Sequence, residues 1–123
     1  MVPAVLLLHE TSDGSWHYDL LVCPPGLDFA GAGPNDRVLI TWRLRDRIDL
    51  GPESCLGEAL SPHRWAYLTY EGPTRSGNGR VHLIASGDAA WETPNRLALR
   101  WRGGAETVYT LTPSARGVLF RRG

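Results

Sequence analysis

The stretch His9-Glu-Thr-Ser-Asp-Gly-Ser-Trp-His17-Tyr-Asp19 lies between two apolar runs, and its reading decides the architecture. Asp13-Gly14 has the chemistry of a tight hairpin turn, which makes Val2 to His9 one strand and Trp16 to Cys23 its partner. Side chains at i and i+2 on a strand share a face. His17 and Asp19 therefore project together, with Tyr18 on the other side. If His9 ends the first strand, the turn folds it back beside them. Two neutral imidazoles and one carboxylate suit a divalent transition metal. The competing reading is a strand-end histidine with a turn-capping aspartate.

Outward from this ribbon the pattern stays that of short strands. Pro24 to Asp36 is rich in Gly and Pro and reads as a loop. Arg37 to Arg45 reads as a strand, and Asp46 to Pro62 as irregular chain with a short turn of helix at Glu53 to Ala59. The aromatics and threonine of Arg64 to Tyr70 favour a strand. Glu71 to Gly79 is a loop, and Gly79 to Ser86 a strand ending at Gly87-Asp88. Arg96 to Arg102 alternates Leu97, Leu99 and Trp101 against polar neighbours, the period of a half-buried strand. Gly103-Gly104 turns the chain into Glu106 to Thr112, and Gly117 to Arg122 follows. About seven to eight short strands without helical periodicity imply an all-β fold, a small closed or nearly closed barrel of mainly antiparallel strands. Residues 1–123 read as a single domain.

Composition narrows the function classes. A hydrophobic share of 42% can supply a core, and 14 glycines with 9 prolines fit a turn-rich β protein. The formal net charge of +0 removes bulk electrostatics as an argument for nucleic-acid binding and leaves only local patches. The 13 basic residues are all arginine, the side chain that grips phosphate with two parallel hydrogen bonds; composition bias explains the same fact. Cys23 and Cys55 are too few for a disulfide framework and read as reduced thiols, which suits a cytoplasmic protein. The apolar run Val5 to Leu8 is far shorter than the ~20 residues a spanning helix needs, and it has no charged leader before it. No membrane role is expected, and a monomer is favoured.

Other residues carry chemistry in more than one reading. His63, after Pro62, sits at an element boundary and could meet a phosphate or protonate a leaving oxygen; an exposed loop histidine reads equally well. Tyr67, four residues on, shares its face if the strand is regular, as a phosphate contact or a half-buried core tyrosine. Arg43, Arg45 and Arg47 alternate along one strand face, as a clamp for a phosphate backbone or as a solvated edge. Glu71 could orient a histidine, and Gly77-Asn-Gly79 could offer amides to an anion or form a plain turn. His82 reads as an ordinary strand residue. Trp42, Trp65, Trp91 and Trp101 read as core, and Trp16 as a wall beside His17.

At His17-Tyr-Asp19 the chain resembles the 3′-phosphoesterase module of bacterial and archaeal DNA ligase D, in which a histidine and a short turn precede His-Tyr-Asp-x-Arg. His63-Arg-Trp-Ala-Tyr67-Leu-Thr-Tyr70-Glu71-Gly72 is similar to the family segment with a histidine, a tyrosine four residues on, then aromatic-Glu-Gly. Gly77-Asn-Gly79-Arg-Val81 and Gly87 with Trp91-Glu92 resemble two further family motifs, in the right order along most of the chain. Trp42 matches the tryptophan of a family strand, and Arg96 to Leu111 fits its closing strands.

The resemblance implies a small β-barrel with a manganese site held by His9, His17 and Asp19. It implies that His63, Tyr67 and His9 act in catalysis and that His63 and Tyr67 approach the phosphate. The implied activity removes 3′-phosphates and 3′-ribonucleotides from DNA or RNA-tailed DNA ends before end joining, with a DNA ligase or polymerase of that process as partner. This sequence departs from the family at Leu21, which stands where the family has an arginine. His9 and His17 are also two residues further apart than in the family. Arg43, Arg45 or Arg47 would have to replace a missing Pro-Lys, and an upstream phosphate-binding arginine has no match between Glu53 and Ser61. Two rivals follow: a module of the same fold that binds ends without hydrolysing them, and an iron oxygenase built on His17-x-Asp19 with His63 or His82 as the distal ligand.

Overall fold

A computed structural model describes residues 1–74 and 76–123. The described residues form nine strands, β1 (Val2–Glu10), β2 (Trp16–Val22), β3 (Arg37–Leu44), β4 (Ser54–Arg64), β5 (Gly72–Pro73), β6 (Arg80–Thr93), β7 (Arg96–Trp101), β8 (Glu106–Ser114) and β9 (Gly117–Arg122). They pair in the order β1-β2-β3-β4-β9-β8-β7-β6, and β6 returns to β1, so the hydrogen bonding closes into a ring. The two-residue β5 lies on the other side of β6. Every pairing is antiparallel. The all-β, nearly closed barrel expected from the alternation is what forms. Among the described residues helix is limited to three short 3-10 turns, Phe29–Gly31, Ile48–Leu50 and Trp65–Leu68. No described helix is long and apolar enough to cross a membrane.

Two segments differ from their sequence reading. Ser54–Arg64 is a full strand, not irregular chain with a helical turn. Its buried inward positions are Cys55 and Gly57, which give little apolar signal. Gly57 is required there, because a Cβ would lie 2.8 Å from the Phe120 ring and 2.9 Å from Leu44. Arg64–Tyr70, read as a strand, is a 3-10 turn over Trp65–Leu68. It packs on β1 and β3, so its aromatics cover a sheet instead of extending one. Gly87-Asp88 does not end a strand either: β6 runs through it, with Gly87 opposite Trp101.

The barrel has two apolar clusters, one on each face of the β1–β2 ribbon. Ala4, Leu6, Leu20, Val22, Trp42, Leu44 and Phe120 belong to the interior core. Trp101 joins them, Trp91 packs against them, and Trp42 meets Phe120 edge-on at 5.3 Å. Val5, Leu7, Leu21, Cys23, Leu39 and Val81 form a second cluster on the outer face. Trp65, Tyr67, Leu68 and Tyr70 pack against it. Both cysteines are buried free thiols. Burial pushes the Cys55 thiol up to about 11 and the Tyr109 phenol up to about 12.

Candidate metal centre

The outer face of the ribbon turns from apolar to polar as it approaches its loop. Along β1 the odd positions run Val5, Leu7, His9, and along β2 they run Cys23, Leu21, Asp19, His17. The register sets His9 opposite His17 and Leu7 opposite Asp19. Opposed residues of an antiparallel pair share a face, so both imidazoles and the carboxylate converge. The loop between the strands is Thr11–Ser15, longer than a two-residue turn, with Gly14 at φ +89°. The register pairs Glu10 with Trp16 across this five-residue loop, so the strand alternation, and hence the shared face, is intact. Asp13 organises this loop. Its carboxylate accepts from the Ser15 hydroxyl at 2.6 Å, from the Thr11 hydroxyl and from the Ser15 amide at 2.9 Å. Those hydrogen bonds hold it well below the usual carboxylate range.

Donor atoms of His9, His17 and Asp19 lie within 4.8 Å of one another. His17 Nε2 is 3.1 Å from Asp19 Oδ1, and His9 Nδ1 is 3.7 Å from Asp19 Oδ2. The imidazole rings meet edge to face at 4.8 Å. Two donors each about 2.1 Å from one ion, at right angles to each other, stand about 3.0 Å apart. The His17–Asp19 pair has that spacing, and the wider His9–Asp19 separation closes to it with a small side-chain rotation.

Three further observations fit a bound cation. Asp19 is 2% exposed, and its Oδ1 has no hydrogen-bond partner despite the nearby His17 nitrogen. Leaving such an oxygen unpaired costs roughly 1–3 kcal/mol, which a cation would offset. Second, His9 Nε2 lies 2.7 Å from the Asn78 carbonyl. That carbonyl can only accept, so Nε2 carries a proton, and in the neutral ring Nδ1, on the side of Asp19, is the nitrogen with the lone pair. Such an outer contact is what orients a metal-binding histidine. Third, His9 and His17 side chains are 15% and 12% exposed, which leaves the centre reachable from one side.

Asn78 was legible only as part of Gly77-Asn-Gly79, read as an anion loop or a plain turn. It is a turn, closed by the Gly77 amide on the Thr74 carbonyl at 3.1 Å, and its use is to hold His9. Gly79 at φ +96° packs directly on the Glu10 backbone, where no side chain fits, and this seats Asn78 beside the centre.

The other candidates divide. His63 stands on β4 opposite Leu39, with Nδ1 3.1 Å from the Ser61 carbonyl. Tyr67 is not on a shared strand face with it, but the 3-10 turn brings the two rings to 5.7 Å, edge to face. Tyr67 also packs on the outer cluster containing Leu7 and Leu21, beside the metal residues along both strands. Arg43 pairs opposite Asp19 on β3. The idea that Arg43, Arg45 and Arg47 alternate along one strand fails, because β3 ends at Leu44. Arg45 follows the strand and lines a cleft with Arg43 and His17. Arg47 instead pairs with Asp49 at 2.6 Å.

Glu71 orients no histidine; it accepts the Leu83 amide at 2.7 Å. His82 pairs with Glu10, and among the described residues neither it nor His63 joins the metal-binding group. The ligand set expected for an oxygenase with either as distal histidine is therefore not formed. Leu21 is fully buried in the outer cluster, against which Trp65, Tyr67, Leu68 and Tyr70 pack, so an apolar residue suits this position. Compared with known proteins, the chain matches no family model and no curated protein.

Proposed function

We propose that the chain is a metal-dependent phosphoesterase acting on 3′-phosphate or 3′-ribonucleotide ends of nucleic acid. The observation that carries the reading is the buried, unpartnered Asp19 oxygen facing two imidazoles at ligand spacing. Two imidazoles and one carboxylate suit a divalent transition metal, and manganese is the one the resemblance implies. Such an ion supplies charge to neutralise a phosphate and lowers the pKa of a bound water.

The protein's own groups do the rest. His9, held through Asn78, and His17 fix the position at which a phosphate would sit. Arg43, beside Asp19, offers two donors to phosphate oxygens. In hydrolysis a water oxygen bonds to phosphorus and releases a proton to solvent, the ester P–O bond breaks, and the departing 3′ oxygen takes a proton. His63, in its imidazolium form, is the residue we assign to donate it: its Nδ1–H is held by the Ser61 carbonyl, which leaves the Nε2 proton for the departing oxygen. We assign the Tyr67 hydroxyl to steady the phosphate, because its turn packs on the same outer face as the centre and beside His63.

The test is release of phosphate from a 3′-phosphorylated primer with and without manganese. Wild-type protein should turn over only with the metal, and Asp19→Asn should lose at least 100-fold while remaining folded. Retained turnover in Asp19→Asn overturns the mechanism. A second reading, binding of ends without hydrolysis, is favoured by Leu21, because the phosphate contact of the family arginine has no counterpart at that position. Tight end binding with no turnover in the same assay selects it.

A further inference from the structure

At the loop end of β2 a cleft of about 480 Å³ opens beside His17. Its lining includes Trp16, Arg43, Arg45, Glu58 and Arg116. Arg116 is distant in sequence and carries no motif. It arrives because the β8–β9 hairpin turns between Ser114 and Gly117, and Gly117 packs on the Gly57 carbonyl of β4. Three arginines and one carboxylate, Glu58, thus line a cleft that also contains His17 of the metal-binding group, and Glu58 is the cross-strand neighbour of Arg43. Among the described residues, no carboxylate lies within ion-pair distance of Arg43, Arg45 or Arg116. Their hydrogen-bonding capacity is open to a ligand, and the electrostatics favour an anion.

Trp16 specifies which anion. Trp16 is 58% exposed, and its ring meets that of Tyr18 at 5.5 Å with the two planes steeply inclined. An exposed aromatic ring beside arginines free to bind phosphate is the arrangement on which single-stranded nucleic acid stacks its bases. A phosphate monoester or free phosphate would use the arginines and ignore the indole.

We infer that this cleft binds the single strand leading to the reacting 3′ end: Trp16 stacks a base, and Arg43, Arg45 and Arg116 take successive phosphates. The inference rests on the phosphoesterase reading for the direction of the strand, and it adds Trp16 and Arg116 to the residues that select a polymer over a small phosphate ester.

The test uses the full chain in chelator, so that binding is read without turnover. Fluorescence anisotropy of labelled oligothymidylate and oligouridylate is followed against salt. Three phosphate contacts give a slope of log affinity against log salt of about −2, and Arg116→Gln should make it shallower by about 0.7. Trp16→Ala should weaken binding by about 10-fold or more, and Trp16→Phe should restore most of it. The two oligomers distinguish DNA from RNA. Arg121→Gln, an exposed arginine outside the cleft lining, should change nothing.

Wild-type affinity in both Arg116→Gln and Trp16→Ala overturns the cleft, as does displacement of the strand by polyglutamate at equal phosphate and carboxylate concentration. Hydrolysis of p-nitrophenyl phosphate with manganese reads the metal centre separately. Its failure with strand binding intact removes the phosphoesterase reading and leaves the cleft assigned. Its success with strand binding unaffected by either substitution does the reverse.

Discussion

The two faces of the β1–β2 ribbon obey the same alternation and come to opposite ends. Inward, Ala4, Leu6, Leu20 and Val22 meet a closed core. Outward, Val5, Leu7 and Leu21 begin a second apolar cluster, but the same face then presents His9, Asp19 and His17. The inner face gains its energy by excluding water from apolar surface. The outer face buries a carboxylate oxygen with no partner, a local cost carried by the apolar packing around it. Stability and chemistry are thus separated by a single step of strand parity, and substitutions on the two faces should fail in different ways.

The largest effect is expected on the inner face. Phe120→Ala empties a buried site between Trp42, Tyr109 and Gly57 and should cost about 3–5 kcal/mol of unfolding free energy, read from denaturant midpoints. The fraction that stays folded should bind metal normally; a matching loss of metal affinity would show that the faces are not separate. On the outer face, Gly79→Ala touches no ligand but pushes the Asn78 turn off β1. Freed from its carbonyl, His9 loses its fixed orientation, and manganese affinity should fall about 10- to 100-fold by calorimetric titration. Unchanged affinity would remove the Asn78 contact from the site.

The smallest effect at neutral pH comes from the buried thiol and phenol. Cys55 and Tyr109 are held up at about 11 and about 12, above their ordinary values of 9.0 and 10.0. Both are neutral when protonated, so the folded chain keeps these protons to higher pH than the unfolded chain does. Stability should be whole below pH 9 and should fall as pH climbs from 9 through 11 to 12. A urea midpoint that stays flat from pH 8 to 11 would mean that these groups are not desolvated.

Much of the fold was legible because alternation and turn chemistry are local. The ribbon from Val2 to Val22, the strand at Arg96–Trp101 and the hairpin after it follow directly from residue pattern. Ser54–Arg64 was not legible, since its inward residues are small and its identity as a strand depends on β3 and β9 on either side. Trp65–Leu68 was misread because aromatics favour strands and cover sheets equally well. The metal residues could be found from an i,i+2 pair and one turn. Asn78 and Arg116 could not, because a backbone carbonyl and a lone loop arginine acquire a role only when distant strands close the ring.

The most direct measurement is anomalous diffraction at the manganese edge from a soaked crystal. A single strong peak is expected about 2.0–2.2 Å from His9 Nδ1, His17 Nε2 and an Asp19 carboxylate oxygen, with His9 Nε2 still on the Asn78 carbonyl. Manganese bound elsewhere, or imidazoles turned away from Asp19 with no peak between them, would contradict a shared ion at the end of this ribbon.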